Sequence, residues 1–267
     1  MTVKDKILQG RTYLGIELGS TRIKAVLIDD SFSVIASGSK QWENRFENGC
    51  WTYSLDDIHG GIQACYKDLA ENVKAQYGIY PETYGAMGIS AMMHGYMAFD
   101  KNDKFLVPFR TWRNTMTAQA AGELTKLLGF NIPQRWSIAH LYQAVLNKEA
   151  HVPYIAYINT LAGYVHKRLT DRFEVGVGEA SGIFPVEGIG YKKEYLEPTE
   201  KSLAEKGFDH KLKDILPAVR NAGEKGAVLT EEGAKFLDPE GRLKAGVPVC
   251  PPEGDAGTGM VATDSVL

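Results

Sequence analysis

Short apolar runs near the start of the chain predict β-structure. Three of them follow one another, at Tyr13–Leu18, Ile23–Asp29 and Ser33–Ser37. The joints between the runs, GST and DDSF, are short and rich in residues that favour tight turns. The pattern therefore predicts three consecutive antiparallel strands.

A long helical pattern follows at about Leu55–Tyr77. Ser54 and Asp57 have the spacing of a helix-capping pair, and Gly78 is suited to end the helix. The apolar residues recur at steps of three and four, which places them on one face of a helix. They are Ile58, Ile62, Cys65, Leu69, Val73 and Tyr77.

The rest of the chain alternates between strand and helix signals. Gly85–Ser90 and the VPVCPP segment near the C-terminus predict short buried strands. Further helices are predicted at Thr117–Leu128, where Gly129 supplies the stop, and at Ile138–Ala150, Ile158–Leu169 and Thr199–Glu205. Gly176–Gly190 contains five glycines and predicts a loop that crosses the surface. Together these elements predict a mixed α/β fold.

Composition and charge argue against nucleic-acid-binding, membrane-spanning and secreted classes of protein. The chain has 267 residues and a formal net charge of -3, so no overall basic field points to nucleic acid. No uninterrupted apolar run approaches the ~18 residues of a membrane span. The opening MTVKDKILQGR lacks the apolar region of a secretory signal, and Cys50, Cys65 and Cys250 are scattered. We therefore expect a cytoplasmic protein without a nucleic-acid or membrane partner.

The first candidate site is Glu17–Lys24, ELGSTRIK. An acidic residue ends the first predicted strand, and a Gly-Ser-Thr hairpin leads into the second. A tight turn of this kind exposes backbone N–H groups and hydroxyls that can hold a phosphate, and the carboxylate can hold a hydrated Mg²⁺. The alternative is an ordinary hairpin in which glycine and serine satisfy the turn geometry.

The second candidate site is the segment EGDAGTGM, in which Asp255 follows an apolar run and stands among glycines. A carboxylate there can remove a proton from a hydroxyl while backbone amides approach a transferring phosphoryl group. The alternative is that Asp255 caps a helix that starts at Ala256. Both interpretations are compatible, because the N-terminus of that helix would itself favour an anion.

Two further segments carry candidate chemistry. His94, in AMMHGYMAFD, is a ligand, an acid or base, or a satisfied core histidine, and its neighbours in sequence argue against a His-based metal site. Arg110–Thr115 sets an indole beside polar and cationic groups, which suits a sugar, although an edge strand with Trp112 packed inward has the same pattern. The chain lacks the P-loop, Rossmann, G-x-S-x-G and zinc-deaminase motifs, which excludes those classes.

Six segments occur in a specific order: Glu17–Lys24, Met92–Gly95, Trp112–Met116, Trp136–Leu141, Glu179–Gly182 and Leu216–Asp255. From Tyr13 onward, this order resembles the N-terminal half of an FGGY-family carbohydrate kinase, within the actin–hexokinase superfamily of ribonuclease H-like domains. The family opens with D-x-G-T-[ST]-x-[KR] and carries a Q-M-H-G-like segment, a W-x-D-x-R segment, an [DE]-A-S-G segment and a terminal G-D.

The resemblance implies an α/β ribonuclease H-like domain, with a mixed sheet flanked by helices, that phosphorylates a sugar hydroxyl with ATP and Mg²⁺. Asp255 would be the general base and Glu17 would lie near the metal. The residues implied on the phosphate side are Gly19, Ser20, Thr21, Lys24, Gly254, Gly257 and Thr258. Those implied in the sugar pocket are Met93, His94, Gly95, Trp112, Asn114 and Arg135.

Several positions depart from the family pattern. Glu17 replaces the usual Asp, Asn114 stands where many members carry Asp, and Met116 stands where they carry Arg. Ala256 follows the base where Asn or Gln is usual. These differences leave the sugar open, and the Met-His-Gly segment favours a ketopentose such as xylulose or ribulose.

Members of the family have two similar lobes, and the second holds most of the adenosine. The resemblance implies a flexible N-terminus at residues 1–11, a sugar-binding lobe at 12–254 and the start of a second lobe at 255–267. We expect little or no kinase activity from this chain alone, and a homodimer is also considered. The alternatives are a non-catalytic sugar-binding or interaction module of the same fold and an acetate-kinase-like or hexokinase-like member of the superfamily.

Overall fold

The computed structural model describes residues 1–224 and 226–265. The helices of this part are α1 (Val3–Leu8), α2 (Leu55–Tyr77), α3 (Ala118–Leu128), α4 (Ser137–Leu146), α5 (Leu161–Thr170), α6 (Val177–Ala180), α7 (Lys193–Glu205), α8 (Leu212–Ile215), α9 (Glu231–Leu237) and α10 (Asp255–Ala262). A short 3-10 helix lies at Val152–Tyr154. None of these described helices combines the length and apolar character that a membrane span requires.

The strands of the described residues are β1 (Thr12–Leu18), β2 (Arg22–Asp29), β3 (Val34–Gln41), β4 (Arg45–Glu47), β5 (Cys50–Thr52), β6 (Ala86–Ala91), β7 (Met97–Phe99), β8 (Tyr157–Asn159), β9 (Glu174–Gly176), β10 (Val186–Glu187), β11 (Gly190–Tyr191), β12 (Ala218–Arg220), β13 (Ala227–Val228), β14 (Pro248–Val249) and β15 (Glu253–Gly254). Seven of them form the central sheet, in the order β13-β14-β6-β1-β2-β3, with β15 also paired to β6. β1, β2 and β3 are antiparallel neighbours, which confirms the first prediction. β6 and β15 run parallel to β1, so the sheet is mixed, as predicted.

α2 covers one face of this sheet. The inward side chains of β1, Leu14, Ile16 and Leu18, are buried against it. The helix begins with a capping box between Ser54 and Asp57 and ends at Gly78, whose φ is 75°, as the sequence predicts. α5 and α9 contribute to the same hydrophobic core, so three helices lie on the inward face of the sheet.

A second hydrophobic core is built from segments that follow β6. Side chains of α3, α4 and α7 meet there, and Tyr142 and Leu203 are among its buried members. Ile183 and Phe184 are fully buried in it. The prediction that Gly176–Gly190 crosses the surface is therefore wrong for its middle part, because these two apolar side chains draw the segment into the core.

Two other predictions differ from the structure. The first eleven residues, expected to be flexible, contain α1, which begins with a capping box between Thr2 and Asp5 and buries Ile7. Lys6 anchors it through an ion pair with Asp29 at 2.7 Å. The predicted helix at Ile158–Leu169 starts later, because Thr160 caps α5 and the residues before it form β8.

The crossing of α2 over β3 depends on Gly38. A Cβ atom at this position would lie 2.5 Å from the carbonyl oxygen of Cys65 and 2.8 Å from Cα of Leu69. Both contacts are with backbone, which cannot rotate away. The absence of a side chain is thus what lets helix and sheet approach each other here.

We expect Gly38→Ala to lower the free energy of unfolding by about 3 kcal/mol or more, because the helix must shift outward to admit the methyl group. Chemical denaturation measures this change. The matched control is Gly88→Ala in β6, where a Cβ atom has no neighbour within 4 Å. Gly88→Ala should stay within about 1 kcal/mol of the wild type. Equal stability of the two variants would contradict this account of the crossing.

Candidate active-site groove

The carboxyl ends of three parallel strands meet at one edge of the sheet. β6 pairs in parallel with β1 on one side and with β15 on the other. Glu17 stands near the end of β1, Ser90 near the end of β6, and Asp255 directly after β15. This strand order explains why residues far apart in sequence come together, since ligands of open α/β sheets bind beyond the carboxyl ends of the strands.

A groove of about 390 Å³ runs along this edge. Glu17, Lys24, Asp255 and Thr258, four of the predicted site residues, line it. The remaining lining residues are Gly15, Ile16, Val26, Gly88, Ile89, Ser90, Gly259 and Ala262. The outward face of the sheet therefore forms one wall, and α10 forms the other.

The turn between β1 and β2 forms one end of this edge and is held by two aromatic residues. The Gly19 N–H donates to the Arg22 carbonyl at 3.1 Å, which closes the turn. Trp42 donates from Nε1 to the Gly19 carbonyl at 2.7 Å, and the Tyr53 hydroxyl donates to the Ser20 carbonyl at 2.5 Å. The Trp42 and Tyr53 rings stack, with centroids 4.1 Å apart. The turn is more than an ordinary hairpin, because side chains from outside fix its backbone.

Ser20 and Thr21 occupy the corner of this turn, with Thr21 exposed. Lys24 lies beside Glu17 across the strand pair, with its Nζ 3.7 Å from the Glu17 carboxylate. Both side chains are about half exposed, so this pair is loose and open to solvent. A small anion at the turn would meet hydroxyls, backbone amides and an ammonium group.

Asp255 is the first residue of α10. Gly254 is the N-cap, and no side chain caps the helix, so the alternative role of Asp255 as a cap is not what the structure has. Its carboxylate accepts a hydrogen bond from the Met93 backbone N–H at 3.3 Å. The side chain is half buried. Asp255 therefore faces the groove as a fixed carboxylate next to the Met93–His94 segment.

The first turn of α10 presents its backbone amides without a side-chain cap, which makes it suited to an anion. Thr258 lies one turn along, and its hydroxyl contacts the Ser90 hydroxyl at 3.0 Å. Gly257 is exposed in the same turn and a Cβ atom there would meet nothing within 4 Å. The binding of an anion at this helix start stays a prediction.

His94 stands in a strained backbone conformation with a φ of 69°, which non-glycine residues rarely adopt. Its Nδ1 atom is buried and has no hydrogen-bond partner among the described residues. Burial, helped by the positive charge of Arg135, lowers the pKa of His94 to about 4. The ring is therefore neutral near pH 7. The Gly95 N–H donates to the Arg135 carbonyl at 3.2 Å, which ties this turn to the segment before α4.

Trp112 and Asn114 lie close in sequence, but the Trp112 side chain is exposed and the Asn114 side chain is buried. Trp112 is 41% exposed and donates from Nε1 to the Ser20 hydroxyl at 3.2 Å, so it joins its own loop to the turn between β1 and β2. Asn114 is buried, and its amide exchanges hydrogen bonds with the Trp51 backbone at 2.9 and 2.8 Å. It also donates to the Thr111 carbonyl at 3.0 Å. Asn114 thus supports the Trp112 loop and does not present a free side chain.

Two glutamates behind Asp255 are not predicted from the sequence. Glu253 accepts a hydrogen bond from the Glu179 backbone N–H at 3.0 Å. A Cβ atom on Gly178 would lie 2.6 Å from Glu253 Oε2, so the glycine admits this carboxylate. Burial raises the pKa of the Glu253 carboxyl, and hydrogen bonds from backbone amides oppose the rise.

Glu179 itself is fully buried, and neither carboxyl oxygen has a hydrogen-bond partner among the described residues. Burial raises the pKa of Glu179 to about 8, with a smaller contribution from the negative charges of Glu253 and Asp255, while Thr160 lowers it. The available signal in the sequence is the Glu179–Gly182 segment, which matches the [DE]-A-S-G pattern of the family but lies inside a stretch expected to be a surface loop.

The sequence matches the family model for the FGGY family of carbohydrate kinases, N-terminal domain, over residues 12–262. A xylulose kinase from Lactococcus lactis is 23% identical over 124 residues, which are 43% of this chain and 23% of that protein. The order of motifs along the chain predicts this family, and the match confirms it.

The fold is similar to that of solved kinases. For the ligand-bound xylulose kinase from Lactobacillus acidophilus the TM-score is 0.73 at 18% identity, covering 95% of this chain and 50% of that one. For a gluconate kinase from Lactobacillus acidophilus it is 0.72 at 18% identity, covering 91% and 48%. At these identities the likeness shows the fold, which confirms the predicted class. The chain spans about half the length of these structures.

Glu179→Gln should change how stability depends on pH. The Glu179 carboxyl holds its proton up to about pH 8 when folded and only to about 4.5 when unfolded. The folded wild type therefore loses stability as pH rises through this window, by about 1.4 kcal/mol for each unit of pKa difference. Glutamine cannot ionise, so the variant should gain several kcal/mol over the wild type between pH 5 and pH 9.

Denaturation at several pH values measures the difference. Glu187→Gln, on the exposed β10, is the matched control and should follow the wild-type curve. If the stability difference between Glu179→Gln and the wild type were constant from pH 5 to pH 9, Glu179 would be ionised throughout.

Proposed function

The chain belongs to the FGGY family of carbohydrate kinases, and from this premise we propose that it is the sugar-binding domain of an enzyme that phosphorylates a sugar hydroxyl with ATP. The observation that carries the proposal is the position of Asp255, a carboxylate at the N-terminus of an uncapped helix in the same groove as Glu17 and Lys24. Such an arrangement sets a base for the hydroxyl beside a binding site for the phosphate.

Asp255 acts as the general base in this proposal. Its carboxylate, oriented by the Met93 N–H, accepts the proton of the sugar hydroxyl as the hydroxyl oxygen forms a bond to the γ-phosphorus. The bond from that phosphorus to the β,γ-bridging oxygen breaks in the same step, and ADP is the leaving group. The charge on the transferring phosphoryl group is met by the amides of the first turn of α10 and by the Lys24 ammonium. Holding the sugar hydroxyl in line with the γ-phosphoryl group lowers much of the activation barrier, because the reactants no longer lose translational and rotational freedom in the reaction step.

The residues proposed to hold the ATP phosphates lie in two groups. Gly19, Ser20, Thr21 and Lys24 belong to the turn that Trp42 and Tyr53 fix. Gly254, Gly257 and Thr258 belong to the start of α10. Each group contributes one residue to the lining of the groove, Lys24 from the turn and Thr258 from the helix, which supports a phosphate chain that runs between the sheet edge and α10.

Glu17 fits the proposed Mg²⁺. Among the described residues no group of three or more His, Cys, Asp or Glu side chains is placed to hold a metal ion. Magnesium in kinases is commonly held by one or two carboxylates together with phosphate oxygens, and the half-exposed Glu17 at the groove offers one such oxygen ligand. When bound, the metal would neutralise charge on the phosphates.

A ketopentose, xylulose or ribulose, is the proposed acceptor. Trp112 presents an exposed ring face for the C–H groups of a sugar, and the neutral His94 and the Arg135 segment adjoin Asp255 through Met93. The Lactococcus lactis relative is named a xylulose kinase, which supports this class of sugar. Asn114 enters the proposal as the support of the Trp112 loop.

The proposed division places the sugar-binding lobe at 12–254 and the start of a second lobe at 255–267, of which residues 266 and 267 lie outside the described part. The family match is to an N-terminal domain, and the chain spans about half of the solved relatives. We therefore propose that turnover needs the second lobe and that this chain alone releases no ADP. A coupled ADP-release assay on the chain, with and without the second lobe, tests this directly.

A non-catalytic sugar-binding module of the same fold is the second candidate. The departures from the family pattern at Glu17 and Ala256 favour it, because both border the reacting groups. A panel of ketoses, aldoses and polyols, tested for binding and for ADP release in the two-lobed protein, separates the candidates. Binding without ADP release for every sugar would favour the module.

Asp255→Asn in the two-lobed protein should lower kcat by about 10²–10⁴-fold, because the amide cannot accept the hydroxyl proton. The sugar dissociation constant should stay close to the wild-type value, since size and polarity are kept. Steady-state kinetics and calorimetry measure the two quantities. Asp264→Asn, beyond the far end of α10, is the control and should match the wild type. Loss of binding with an unchanged kcat would contradict the assignment of Asp255 as base.

A further inference from the structure

The carboxyl group of Glu179 lies directly behind the backbone that carries Asp255. A Cβ atom added to Gly254 would come 2.8 Å from Glu179 Oε2. Gly254 immediately precedes Asp255 and pairs with Ala91 of β6. A single glycine therefore separates the buried carboxyl from the proposed base, and any larger residue there would have to displace Met93 or Glu179.

The same two segments are tied together by hydrogen bonds. The Gly176 N–H donates to the Pro252 carbonyl at 2.8 Å, and the Glu179 N–H donates to the Glu253 carboxylate at 3.0 Å. The loop that leads to Asp255 is thus fastened to the stretch that contains Glu179. A displacement of the Glu179 stretch is therefore transmitted toward Asp255 through the Gly176–Pro252 backbone pair and through the Glu253 side chain.

Glu179 is also isolated from solvent, and the Thr160 hydroxyl, which lowers the pKa of Glu179, lies outside normal hydrogen-bond geometry with its carboxyl oxygens. An ionised carboxylate without partners is costly to bury, so the neutral acid is favoured. The groups that face it are the carboxyls of Glu253 and Asp255, the Tyr191 hydroxyl from β11 and Thr160 at the start of α5. Because Glu179 is fully buried, its carboxyl keeps its proton.

We propose that Glu179 is a positioning residue, whose carboxyl packs behind the backbone of Gly254 and holds the Asp255 side chain where it faces the sugar. The inference rests on the proposed role of Asp255 as general base. Glu179 does not touch the substrate, and it acts through the loop in front of it. Met93, on the same loop as His94, is the other side chain that packs closely against Gly254.

Kinetics of the two-lobed protein test this role. Glu179→Ala removes the support, and we expect kcat to fall by about tenfold or more with little change in KM, because a small displacement of the base slows proton transfer. Glu179→Gln keeps a neutral group of the same shape and should restore most of the lost kcat. In the wild type kcat should also fall as pH rises through about 8, where Glu179 ionises, and Glu179→Gln should lack that decline.

A second measurement does not depend on turnover. In the 267-residue chain labelled with ¹³C at aspartate carboxyls, the Asp255 signal is assigned by its loss in Asp255→Asn. Glu179→Ala should move this signal and change its titration midpoint, whereas Glu179→Gln and the surface control Glu187→Gln should not. Absence of turnover in the two-lobed wild type would overturn the proposed function and leave this measurement to decide the role of Glu179.

The proposal is overturned if the Asp255 signal and its titration are the same in Glu179→Ala and the wild type. It is also overturned if Glu179→Gln loses as much kcat as Glu179→Ala, since the neutral group would then provide no support. Circular dichroism of each variant separates these outcomes from unfolding.

Discussion

The pairing of β15 with β6 is the constraint on which the candidate site depends. Two residue pairs, Glu253 with Ser90 and Gly254 with Ala91, end a third parallel strand at the edge where β1 and β6 also end. α10 must then begin at Asp255, with its uncapped N-terminus turned toward the groove. Glu253 is fastened from behind by the Glu179 amide. A short strand of two residues thereby decides where the proposed base stands.

The turn between β1 and β2, at one end of the same sheet edge, is fixed by aromatic side chains. Trp42 and Tyr53 hold the carbonyls of the turn between β1 and β2, and Trp112 bonds to its serine. These three residues come from different segments, so the turn is rigid although it is short. Preorganised amides and hydroxyls cost little to order when an anion binds, which is the physical advantage of such a turn in a phosphotransferase. Asn114 contributes by bracing the Trp112 loop.

Much of this arrangement could be predicted from the sequence, because local signals and tertiary packing agree. The antiparallel strands, the capped and glycine-terminated α2, and the base-bearing loop all follow from apolar period, capping residues and turn residues. The other features depend on contacts between distant parts of the chain, which the sequence pattern does not show. The sequence pattern places Glu179 in a glycine-rich surface loop, and only the burial of Ile183 and Phe184 beside it shows that the segment turns inward. Asn114 is a second example. An amide side chain is suited to bind a sugar, but in the structure this amide is already hydrogen-bonded to the Trp51 and Thr111 carbonyls.

We propose that this chain binds a sugar between Trp112 and Asp255. The chain has four tryptophans, so their indole N–H signals form a small and assignable set in a ¹⁵N-labelled sample. Titration with xylulose or ribulose should shift the Trp112 signal in a saturable way and leave that of Trp136 unchanged. No shift at Trp112, or equal shifts of all four signals, would contradict the account.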